Sequence, residues 1–253
     1  MLHAFRRGKS RLYKRYLGHR EEGEHRVCEE DEITALILGP MDYLPAEAVG
    51  IFWKAVIEQG SRGLPQAFPL GPAVRTEMHF WPRRGIEPDL LIELHWADGA
   101  RRWLLVELKW KAPLSGDDQL QLQWREFLTP AEREEAYHLF IAPEISAGLN
   151  ALGKEDIWDG RLLLRSWVSI LHVLQHLNAT NSAGFDKWKA QVVHFLGQLG
   201  IKPFRGFTSL LSPQSAFESP IFWSSLGGFA QFRPPAVPPS TGQLLFFSWS
   251  SEQ

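Results

Sequence analysis

The feature that most constrains this chain is the stretch from Ile86 to Lys111, IEPDLLIELHWADGARRWLLVELKWK. Two apolar runs, Leu90 to Leu94 and Trp103 to Leu108, flank Ala97-Asp98-Gly99-Ala100. Short apolar runs on either side of a glycine-containing turn predict a β-hairpin. The open end of that hairpin gathers the chemistry: Pro88-Asp89 opens the first strand and Glu107-Leu108-Lys109 closes the second. Successive side chains on a strand point to opposite faces, so Glu107 and Lys109 share one face and Leu108 is buried on the other.

Register decides whether Asp89 meets them. Asp89 and Glu107 share a face only if the numbers of paired residues sum to an even value, as when Ala97 opposes Arg101 around the loop Asp98-Gly99-Ala100. A three-residue loop with glycine in the left-handed region is a common solution, and Gly99 supplies it. A two-residue Asp98-Gly99 turn gives odd parity and needs a bulge. The chemistry therefore predicts the longer loop.

Two carboxylates so placed suit a hard divalent cation, because Mg²⁺ prefers oxygen ligands and keeps positions for water and phosphate. Lys109 beside them would orient or polarise the attacking water and offset charge building on the phosphate. The set Pro88-Asp89 and Glu107-Leu108-Lys109 resembles the PD-(D/E)xK nuclease superfamily, with a family core from roughly Glu29 to Ala142. The resemblance implies an α/β fold with a central mixed β-sheet of four or more strands flanked by helices, in the order helix, three strands, helix, strand. It implies catalysis by Asp89, Glu107, Lys109 and Glu32. It also implies Mg²⁺, with Mn²⁺ able to substitute, held by Asp89, Glu107, the Leu108 carbonyl and Glu32. Glu32 fills the place of a glutamate on the first core helix, with Glu29 as its substitute; the run Glu30-Asp31-Glu32 equally suits a helix N-terminus through the macrodipole. Gln119 or Gln123, on the helix after the second hairpin strand, would support the site as glutamines do in several branches; a solvent-facing position is the commoner fate of a helical glutamine.

Composition limits the partners. The chain has 253 residues, 44% of them apolar, enough for one domain with additions and a substantial core. Net charge is −2, so contact with nucleic acid must come from local basic patches rather than the whole field. A single cysteine, Cys28, excludes an internal disulfide framework and a cysteine-based zinc site. No stretch reaches the length of a membrane span and no signal peptide opens the chain, which reads as cytoplasmic.

Four regions follow. Residues 1–28 form a basic arm in which Arg6 and Arg7 begin a cationic run that continues to Arg20, while Leu12, Tyr13, Tyr16 and Leu17 form a partial apolar stripe. It reads equally as a phosphate-tracking arm and as a partner-docking helix. Residues 29–143 are the nuclease core: a helix through Ile33 to Leu38, a second from Pro45 to Gln59, a strand from Val74 to Trp81, the hairpin, a helix from Gln119 to Leu128 capped from Ser115-Gly116-Asp117-Asp118, and a strand from Tyr137 to Ala142. Glu77 is either a further acidic ligand or an exposed strand residue. Arg83, Arg84 and Lys111 flank the motif and are candidate phosphate contacts. Residues 144–210 read as a helical extension, with helices at Arg161 to Leu177 and Phe185 to Leu199; His172 and His176, one turn apart, are expected to be structural. Lys202 and Arg205 offer a basic edge, and residues 211–253 form an irregular Pro- and aromatic-rich tail.

Other catalytic templates are missing: the chain has no Gly-x-Ser-x-Gly elbow, no phosphate-binding loop ending in Lys-Ser/Thr, and no His-Glu-x-x-His. The expectation is a metal-dependent DNA nuclease, by resemblance one of prokaryotic restriction or anti-phage defence. A homodimer or a partner protein would let one site per chain cut both strands. The alternatives are a repair nuclease and a non-catalytic nucleic-acid-binding or scaffold subunit that keeps the fold.

Overall fold

The computed structural model describes residues 2–7, 12–17, 29–61, 63–110, 113–116, 118–177 and 182–203. Its elements run α1 (Leu2–Arg6), a 3₁₀ turn (Leu12–Leu17), α2 (Glu29–Leu38), a 3₁₀ turn (Gly39–Tyr43), α3 (Ala46–Glu58), β1 (Ala73–Phe80), β2 (Leu90–Trp96) and β3 (Arg101–Leu108). The chain continues through α4 (Gln119–Leu122), a π turn (Gln123–Phe127), α5 (Pro130–Glu134), β4 (Ala136–Ala142), α6 (Ser146–Lys154), β5 (Leu162–Ser166), α7 (Trp167–His176) and α8 (Ala183–Gln198). Lys111, Asp117 of the capping run, Arg205 and the 211–253 tail lie outside the described residues.

The five strands form one mixed sheet in the order β1-β2-β3-β4-β5. β1, β2 and β3 are antiparallel, whereas β4 and β5 run parallel to β3. Parallel neighbours need crossovers, which α4, α5 and α6 supply. Seven consecutive positions of β3 and all of β4 are buried, the near-continuous apolar pattern of strands covered on both faces. One face carries Leu90, Ile92, Leu94, Leu104, Val106, Tyr137 and Leu139 into a core shared with α2, α3, α7 and α8. The other carries Leu91, Leu105 and Phe140 against Leu120, Trp124 and Phe127 of the α4 segment and Ala151 of α6. The architecture is thus α/β, with helices on both faces and helices α7 and α8 towards the C-terminal side. Among the described residues no helix is long and apolar enough to cross a membrane.

The hairpin register has even parity, although the loop sits one residue earlier than the example in the sequence suggested. Leu90 pairs with Val106 and His95 with Arg101, and Trp96 N–H donates to Ala100 O at 2.9 Å. The loop is therefore Ala97-Asp98-Gly99, with Gly99 at φ 86°. Continued by one step, this register sets Asp89 opposite Glu107.

One expectation fails in the extension. Residues 162–166, read as the start of a helix, form the edge strand β5 beside β4, and the helix begins only at Trp167. A short apolar run such as LLLRS has no period that separates strand from helix, and the open edge of β4 decides it. The N-terminal segment also packs rather than extends. Leu2, Phe5 and Tyr16 are buried, with Phe5 stacked on Phe195 of α8 at 5.4 Å, while Arg6 and Arg7 face solvent.

Candidate active site

The site lies where the hairpin opens. Asp89 Oδ2 accepts a hydrogen bond from Leu108 N–H at 2.6 Å, which ties the acid that precedes β2 to the end of β3. The N–H and C=O of a strand residue leave on the same edge, so the Leu108 carbonyl also faces the Asp89 side. Glu107 and Lys109 project together onto the face covered by α4; both are buried, at 1% and 8% exposure. Lys109 Nζ stands 2.7 Å from Glu107 Oε1 and 3.5 Å from Glu30 Oε2.

Two glutamines hold Glu107. Gln119 Nε2 donates to Oε1 and Gln123 Nε2 to Oε2, each at 2.7 Å. Neither amide is free to turn. Gln119 Oε1 accepts Ser115 N–H at 2.7 Å, and Gln123 Oε1 meets His138 Nε2 at 3.2 Å. Trp158 Nε1 donates to His138 Nδ1 at 3.1 Å, so the neutral ring carries its proton on Nε2 and donates it to Gln123. Complete burial pushes the His138 pKa down to about 3, which keeps the ring in that neutral form. The helix is an α turn that passes into a π turn at Gln123, a local irregularity common at functional sites.

The charges are unbalanced. Burial, then the Glu107 carboxylate, push the Asp89 pKa up to about 8 against the Leu108 hydrogen bond and Lys109. For Lys109, burial works against the charge, but Glu107, then Glu30 and Asp89, outweigh it and raise the pKa. Lys109 is thus an ammonium at neutral pH, a donor rather than a general base. A carboxyl held at about 8 is largely protonated at neutral pH, and a divalent ion bound by Asp89 would displace that proton. Donor accounting agrees. Of roughly four lone-pair positions on the Glu107 carboxylate, three take the N–H groups just named, and Asp89 Oδ1 accepts no hydrogen bond from the described residues. Asp89 Oδ1 and the remaining Glu107 position are hard oxygen donors that fit Mg²⁺ or Mn²⁺.

Helix α2 contributes a different acid from the one the resemblance implied. Glu30 reaches the site: its Oε1 accepts Trp110 N–H at 2.9 Å while its Oε2 faces Lys109. Glu32 instead accepts the Tyr16 hydroxyl at 2.9 Å. Residues two apart on a helix point about 200° away from each other, so only one of the pair can face β3. Glu29 begins the helix, but its side chain is not among those described. Asp118 occupies the N-cap position of α4 without a side-chain capping hydrogen bond; its carboxylate pairs with Lys154 at 2.6 Å.

The candidate phosphate contacts are partly committed elsewhere. Arg84 donates to both Glu132 oxygens, at 2.9 and 3.2 Å, and lies over the Phe127 ring, and Arg83 pairs with Glu87. His172 and His176 stack at 4.1 Å, and the His176 Nδ1 lies 2.8 Å from the His172 carbonyl. A cleft of about 400 Å³ opens at the C-terminal ends of β3 and β4, against Lys109, Trp110, Ala142, Glu144 and Ser146. That is where open α/β sheets bind ligands. His138 and Trp158 had no signal in the sequence, since a lone histidine in an apolar strand reads as core. Comparison of the chain with protein-family models, curated proteins and solved structures finds no match.

Proposed function

We propose that the chain is a divalent-metal-dependent nuclease that hydrolyses phosphodiester bonds in DNA. The observation that supports it best is the convergence of Asp89, Glu107 and Lys109 at the open end of the hairpin, with both Glu107 oxygens held by oriented glutamine amides. Asp89 and Glu107 are the residues that would hold Mg²⁺, with the Leu108 carbonyl as a further oxygen donor. A bound cation supplies charge stabilisation at the phosphate. Lys109 supplies a fixed positive charge and N–H donors for a water or a phosphoryl oxygen, and Glu30 sets the direction of its ammonium. Gln119 and Gln123 keep Glu107 in place, and His138 keeps Gln123 in place. The resemblance to PD-(D/E)xK nucleases rests on the same three motif residues.

The test is cleavage of plasmid and single-stranded DNA with Mg²⁺ or Mn²⁺ by the wild type, Asp89→Asn and Lys109→Ala. Loss of one charge-stabilising donor typically lowers turnover by about 10²- to 10³-fold, and a drop of that size is expected for Lys109→Ala with DNA binding in Ca²⁺ retained. Cleavage that survives both substitutions rejects the site. Binding without cleavage in every form rejects the enzyme in favour of a scaffold.

A further inference from the structure

A second cluster of ligating side chains lies on the same sheet face, away from the hairpin's open end. Register sets Glu77 opposite Glu93 and Arg75 opposite His95, and the two-residue alternation adds His79 to that face. His79 Nε2 is 3.1 Å from Glu93 Oε1 and 3.7 Å from Glu77 Oε2. His95 Nε2 is 3.7 Å from Glu93 Oε2. Among the described residues, Glu77, His79 and Glu93 are the one group of three whose ligand atoms all lie within 4.8 Å of one another.

We propose that Glu77, His79 and Glu93 bind a divalent transition ion of the Zn²⁺ class, with water in the fourth position. Two observations separate this from a plain ion pair. Ligand atoms around a tetrahedral ion with bonds of about 2.0–2.1 Å stand about 3.3 Å apart, and His79 Nε2 lies 3.1 Å from Glu93 Oε1 and 3.7 Å from Glu77 Oε2. The Glu77 carboxylate is also divided in use: Arg75 takes Oε1 and leaves Oε2 towards His79, as an outer partner orients a metal ligand.

The ligand chemistry sets this site apart from the one at Asp89. The His79 imidazole favours zinc, copper, nickel or iron over magnesium, whereas Asp89 and Glu107 offer oxygen alone. Four residues of strand separate Glu93 from Asp89, roughly 13 Å, so the two positions do not share an ion. The ion joins β1, one of the two edge strands of the sheet, to β2.

The experiment uses the full chain without an affinity tag. Zn²⁺ retained after desalting is measured by elemental analysis, and Co²⁺ is titrated in while its visible d–d absorption is recorded. One Zn²⁺ per chain and an intense four-coordinate Co²⁺ spectrum are expected. Both disappear in His79→Gln, which keeps an amide for the Glu93 hydrogen bond, and in Glu93→Gln. Arg75→Ala weakens Co²⁺ binding by about 10- to 100-fold, as loss of an outer partner does. Asp89→Asn and His172→Ala leave the spectrum unchanged. The assignment is overturned if no Zn²⁺ is retained, if the spectrum survives in His79→Gln and Glu93→Gln, or if it is lost in Asp89→Asn or His172→Ala. Far-ultraviolet circular dichroism on each variant separates lost ligation from lost fold.

Discussion

Three N–H donors converge on the Glu107 carboxylate, and one of them depends on a histidine that never touches it. His138 is fully buried, and burial lowers its pKa to about 3, below its ordinary value of 6.5. Between those values the unfolded chain binds a proton that the folded one refuses. Stability from this group is complete above about pH 6.5 and falls as pH drops towards 3, by about 1.4 kcal/mol per pH unit. Urea unfolding from pH 7 to pH 4 should therefore show the wild type losing more stability than His138→Phe, by up to that slope. Equal slopes would mean that His138 is charged in the fold. The same substitution frees the Gln123 amide to flip, so cleavage should fall at pH 7.5 although no side chain facing the substrate has changed. The site residues themselves were legible by type and spacing: an acid before an apolar run, then Glu-x-Lys at the end of the next. Glu30 was not. Three adjacent acids on a helix sample three directions 100° apart, and only docking of α2 on the sheet selects the one that meets Lys109.

At the scale of elements, α3 lies close against the start of β1. A Cβ built on Gly50 would stand 2.8 Å from the Ala73 Cβ, closer than real carbon pairs approach, and neither group has a rotamer to escape through. Gly50→Ala gains roughly 1 kcal/mol of helix propensity. The clash should outweigh it, with a net loss of about 1–3 kcal/mol as in other overpacked cores. Chemical denaturation measures this; a stabilised variant would show that α3 can slide along the sheet at no cost. The amphipathic spacing of Val49, Phe52, Trp53, Val56 and Ile57 was readable as a helix, and all five are buried. The strand character of Leu162 to Ser166 was not readable, because its reason is the hydrogen-bonding edge of β4, more than twenty positions earlier in the chain.

For the whole molecule, the net charge of −2 gives no general pull on nucleic acid, so binding is a matter of local charge, and the proposed oxygen site predicts a response to divalent cations. A ligand that binds only the folded state stabilises it by mass action, about 2.7 kcal/mol at a hundredfold excess over its Kd. Thermal unfolding should thus move upwards with added Mg²⁺ in the wild type and in His79→Gln, but not in Asp89→Asn. A melting temperature indifferent to Mg²⁺ in the wild type would remove the oxygen site from the reading.

The sequence by itself determined the hairpin and the residues at its open end, because side-chain alternation and turn chemistry act over a few residues; its even parity was an expectation from the site chemistry that the register meets. Tertiary structure alone decided that Glu30 rather than Glu32 turns towards Lys109, that both glutamines face Glu107, and that β1 and β2 bring Glu77, His79, Glu93 and His95 together. Those outcomes depend on how whole elements are rotated and stacked, and that rotation is fixed by two cores drawn from distant parts of the chain, which no local pattern encodes.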